Sequence, residues 1–133
     1  MKTIIVAYLV AGLAFLVVDA IWLTIMTQTF YRPLLGDRLV EGFVFAPAMV
    51  FYLIYVAAIV YFAVLPAIED GSLIRAATNG AILGLAAYAT YDLTNQATLK
   101  DWPLAITLVD IPWGMFVSAV GASAGFLAAS RFG

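Results

Sequence analysis

The 133 residues of this chain are 65% hydrophobic and only 11% charged, with a mean hydropathy of +1.07. Soluble domains of this size clothe most of their surface in polar groups, so the composition excludes a water-soluble fold and makes lipid the solvent. A net charge of -2 withholds the electrostatic attraction that drives nucleic-acid binding, and the lack of Cys and His removes thiolate and imidazole chemistry, so no metal and no cofactor is expected.

The first apolar run, residues 4–26, is too long for a signal peptide and carries Asp19, so it reads as the first membrane span. A hydrocarbon layer of about 30 Å needs about 20 mainly apolar residues to cross it. Three further stretches meet that requirement, at residues 43–65, 73–93 and 104–129. Residues 27–42 form the longest loop, where Phe30-Tyr31-Arg32-Pro33-Leu34-Leu35 suits either a headgroup-level segment or an ordinary connector. Pro66 is expected to close helix two, Glu69-Asp70-Gly71-Ser72 to make a tight polar turn, and Pro103 to sit in the first turn of helix four.

The expectation is therefore an all-α polytopic membrane protein: one domain, residues 1–133, folded as a four-transmembrane-helix bundle with short loops. Four crossings put both termini on one side, the terminal side. Lys2, Arg75 and Arg131 lie there, against Arg32, Arg38 and Lys100 on the opposite, loop side, and this tie leaves the orientation open. Small residues recur every fourth position at Ala76, Gly80 and Gly84 and at Gly114, Ser118 and Ala122, with Gly121 and Gly125 as a second pair. Such stripes let backbones approach, either between helices three and four of one molecule or across a homodimer.

An ionisable group inside a bilayer is expensive and usually faces the bundle interior. At about 1.5 Å per residue, Asp19 lies roughly 10 Å before the loop-side end of helix one, and Asp110 roughly 9 Å inside the start of helix four. Asp92 sits near the loop-side end of helix three, so antiparallel threading brings all three into the same half of the membrane. Tyr88, Asp92, Asn95 and Gln96 share a face if helix three continues that far. Asp19 with Trp22, and Asp110 with Trp113, repeat an Asp-x-x-Trp spacing that puts an indole one turn from each carboxylate. Pro112 cannot donate to the Leu108 carbonyl, Tyr52 and Tyr55 offer hydroxyls, and Arg32, Arg38 and Lys100 are possible carboxylate partners.

The candidate site for a ligand or a proton is thus Asp19, Trp22, Tyr88, Asp92, Asn95, Gln96, Asp110 and Trp113, with no metal-ligating set. The plainer reading makes Trp22, Trp102 and Tyr91 an aromatic belt at the headgroups and the aspartates structural, each bonded to a neighbouring helix.

The stretch from Tyr91 to Trp102, YDLTNQATLKDW, followed by Asp110-Ile111-Pro112-Trp113-Gly114, resembles the signature of a family of small bacterial membrane proteins catalogued as domain of unknown function 2177. Asp19-Ala20-Ile21-Trp22-Leu23 fits as well, and the resemblance covers nearly the whole chain. It implies an integral protein of the bacterial cytoplasmic (inner) membrane and brings no activity, cofactor or catalytic residue with it.

Two functions are expected to compete. One is binding or transport of a small or lipid-like molecule through the polar, aspartate-lined site in one half of the bilayer. The other is a non-catalytic subunit or assembly factor of a larger membrane complex, which requires every aspartate to be satisfied internally. An enzyme using carboxylate acid–base chemistry ranks below both. The expected partners are the lipid bilayer and a homodimer or larger membrane complex.

Overall fold

The computed structural model describes residues 1–38 and 44–133. Among these there are four long helices and no strand: α1 (Lys2–Leu35), α2 (Phe45–Asp70), α3 (Leu73–Thr98) and α4 (Leu104–Phe132). The expected start of the second span at Phe43, the loop end at Gly42 and the partner role of Arg38 lie outside what can be described. α1, α2 and α4 are each long and apolar enough to cross a membrane. α3 matches them in length, but its small residues, threonines and amides make it less apolar than the other three. The reason is its packing: α3 lies along α4 in the most extensive helix contact of the molecule.

That contact is made by the small-residue stripes. A Cβ on Gly80 would stand 2.8 Å from the Ser118 carbonyl oxygen, and one on Gly84 would run into the Gly114 backbone. Gly121 and Gly125 serve α1 instead, where Ala11, Phe15 and Ala7 approach them. Thr3 donates to the Gly133 carbonyl at 3.3 Å, which brings the two ends of the chain together on the terminal side.

Helix ends differ from the sequence reading, two of them at wide turns. α1 does not stop at Met26; it continues through a wide, π-type turn at Thr27–Tyr31 into Arg32–Leu35. α2 does not close at Pro66; a second wide turn at Val60–Val64 carries it on to Asp70. Proline removes the donor that would reach the carbonyl four residues back and crowds that carbonyl. Here that group is the Phe62 carbonyl, and the Asn79 side chain of α3 donates to it at 3.1 Å. The helix thus survives its proline with a borrowed donor.

The polar turn forms as expected. Gly71 closes α2 at φ 65, and Ser72 caps α3 by accepting from the Arg75 amide at 3.1 Å. Pro103 is the cap residue just before α4 rather than part of its first turn.

Candidate functional site

With α3 running to Thr98 instead of residue 93, Asp92 stands six residues inside its loop-side end. Asp110 stands six residues inside the start of α4 at Leu104, and Asp19 seven before Met26. Asp92 and Asp110 therefore sit about 9 Å inside the loop-side ends of their helices, and Asp19 sits about 10 Å before the wide turn that follows Met26.

Aromatic groups tie two of them together. Trp22 of α1 and Trp113 of α4 stack face to face, with centroids 4.1 Å apart and planes 9° from parallel. The Asp-x-x-Trp pairs are exchanged between helices: Trp113 Nε1 donates to Asp19 Oδ1 at 3.2 Å, and Trp22 Nε1 donates to the Tyr31 hydroxyl at 3.2 Å. Tyr31 in turn donates to Asp110 Oδ1. An indole and a phenol thus serve these two carboxyls.

Tyr31 reaches Asp110 because of the wide turn. With about 100° per residue in an α-helix, a residue twelve positions past Asp19 would point roughly 120° away from it; five residues at about 4.4 per turn reduce that to roughly 30°. The turn brings a hydroxyl back to the face that carries Asp19.

Asp92 is placed differently. It is fully buried, and no donor other than the facing carboxyl of Asp110 reaches either of its oxygens. The ionisable group facing it is Asp110. Two carboxyls in that position are joined by a hydrogen bond only when a proton is held between them.

Between the helices lies a cavity of about 490 Å³. Asp19, Trp22, Tyr88, Asp110 and Trp113 line it, together with Tyr31, Arg32, Tyr91, Trp102 and aliphatic side chains. A second cavity of about 370 Å³ touches Tyr88, Tyr91 and Asp110 from the α2 side, at Phe51. The volume falls in the range of small-molecule sites, and the wall is aromatic with a few polar groups, as such sites require.

Five of the eight residues singled out in the sequence therefore line one cavity, and Asp92 backs it. The other two do not line it. Gln96 receives the Thr107 hydroxyl at 2.8 Å and donates to the Trp102 carbonyl at 2.9 Å, while Trp102 Nε1 donates to Thr107 at 3.2 Å. This network braces the turn between α3 and α4. Asn95 sits at the Tyr91 hydroxyl. Of the tyrosines offered as donors, Tyr55 bonds Ser118 at 2.6 Å and the Tyr52 hydroxyl is buried without a partner, so neither serves a carboxylate.

Tyr31 was missed because Thr27-Gln28-Thr29 looks like a helix end, and a wide turn has no hydropathy signature. Among the described residues no cluster is suited to hold a metal ion.

A family model described as predicted membrane protein (DUF2177) matches residues 4–127. The chain belongs to that family and is a membrane protein. Neither a curated protein nor a solved structure matches it.

Proposed function

We propose that this member of the DUF2177 family binds a small or lipid-like molecule in the loop-side cavity, as a binding or transport protein of a bacterial cytoplasmic membrane. The observation that carries the reading is the cavity itself: about 490 Å³ of space beside two membrane-embedded carboxyls, contributed by α1 and α4 and set among aromatic rings. Carboxyls whose only task was to hold helices together would leave no such space between them. Asp92 supports the same reading, because it is buried against a second carboxyl, Asp110, and two facing carboxyls weaken a bundle rather than bracing it. The subunit alternative required every aspartate to be satisfied.

The test is titration with N-phenyl-1-naphthylamine, an uncharged hydrophobic fluorophore, of the protein in dodecylmaltoside micelles. Saturable binding that quenches tryptophan emission is expected, with affinity weakened about tenfold by Leu23→Trp, which fills the cavity from a partly exposed wall position. Non-saturable partitioning, identical in the variant, would overturn the proposal.

A further inference from the structure

The chemistry of the wall selects among ligands. We infer that the loop-side cavity takes an organic cation, an ammonium group carried on an apolar body; this rests on the cavity being a binding site. Two carboxyls line it, Asp19 and Asp110, against one guanidinium, Arg32. A third carboxyl, Asp92, faces Asp110 from behind the wall, and releasing a proton held between the two adds to the same sign.

The rest of the wall favours the same charge. Aromatic rings present a negative face, and a cation over such a face is attracted most strongly where water is excluded. Trp22, Trp102, Trp113, Tyr31, Tyr88 and Tyr91 all line the space. Asp19 receives the Trp113 indole through Oδ1, and Asp110 the Tyr31 phenol through Oδ1. These bonds hold both carboxyls at the wall and leave carboxyl capacity beyond them, since a carboxylate accepts at about four sites.

Depth supplies the second requirement. Asp110 stands about 9 Å inside the loop-side start of α4 and Asp19 deeper than that from the loop-side end of α1, where a bare hydrated ion is costly, so the charge must arrive on an apolar body. Ile106, Leu23 and Leu35 supply the surface for that body. An amine-bearing lipid headgroup and a free lipophilic ammonium share this chemistry.

Phenyltrimethylammonium and tert-butylbenzene have nearly the same shape and differ in charge, and benzenesulfonate supplies the opposite sign. Binding of each to the full chain in dodecylmaltoside is read by equilibrium dialysis and by tryptophan emission. The cation is expected to bind at least about tenfold more tightly than either of the others. Asp19→Asn and Asp110→Asn should each weaken the cation about tenfold while leaving tert-butylbenzene unchanged, and Asp19→Glu, which keeps the charge, should retain the preference. Competition by lysophosphatidylcholine but not lysophosphatidylglycerol assigns the cation to a lipid headgroup. Failure of both lipids to compete assigns it to a free molecule, and either result upholds the class. Equal or tighter binding of the neutral or anionic probe overturns the inference and leaves the cavity a binding site. Saturable binding by none of the three probes overturns both.

Discussion

The terminal-side and loop-side halves of the bundle use the same four helices and pack by opposite rules. In the terminal half Ala7, Ala11, Ala76 and Ala122 are fully buried and Gly80 and Gly125 admit a neighbouring backbone, so the helices touch along these residues. In the loop half the side chains facing inward are indoles, phenols and carboxyls. Rings of that size hold the helices apart, and the space between them becomes the cavity. The changeover falls near Gly84 and Gly114, where α3 and α4 make their closest approach and the Tyr88 ring covers Gly114. Stability is concentrated on one side of that point and ligand chemistry on the other.

The comparison is broken most severely by adding volume to the dry side. Gly84→Leu should cost about 3 kcal/mol or more of stability, because its side chain runs into the Gly114 backbone, which has no rotamer to yield. Leu23→Trp adds comparable bulk at the cavity wall and should cost under about 1 kcal/mol. Unfolding in mixed micelles of rising dodecyl sulfate content measures both; equal losses would mean that the two halves are packed alike.

Removing a donor on the wet side has a smaller effect. Tyr31→Phe deprives Asp110 of its phenol and Trp22 of its acceptor, with an expected loss of about 1–2 kcal/mol. The same variant should blue-shift tryptophan emission less than Trp22→Phe does, since the indole stack survives it. Asn79→Ala leaves the Phe62 carbonyl without its borrowed donor, at about 1 kcal/mol, and should raise hydrogen exchange in residues 60–66 of α2. The smallest effect belongs to the exposed ion pair of Arg75 with Asp70 in the polar turn: Arg75→Ala should change stability by under about 0.5 kcal/mol.

Much of this architecture is legible in the residues. Four apolar runs divided by a Glu-Asp-Gly-Ser turn and a proline give the bundle, and counting residues from the helix ends gives the common depth of Asp19 and Asp110. The spacing of Gly80 and Gly84 against Gly114 and Ser118 gives the α3–α4 contact. What the residues hide is helix continuation through polar or proline-bearing sequence. Asn95, Gln96 and Thr98 read as a helix end, yet Thr98 donates back to the Thr94 carbonyl at 2.7 Å and Gln96 is held by Thr107, so α3 goes on and carries Asp92 inward. Pro66 reads as a stop because the donor that replaces its own comes from another helix. Tyr31 reads as loop because its return to the site depends on a change of helical pitch, which depends on backbone geometry rather than side-chain polarity.

The central claim is that the aspartates serve a ligand rather than the fold, and Asp92 tests it most directly. Asp92→Asn keeps the shape, removes the carboxyl and supplies an amide donor toward Asp110. The account predicts a gain of about 1–2 kcal/mol in unfolding stability, since one of two facing carboxyls is exchanged for an amide that donates to the other, together with weaker binding of phenyltrimethylammonium. A loss of stability with cation binding unchanged would contradict the account and make Asp92 a structural residue of the bundle.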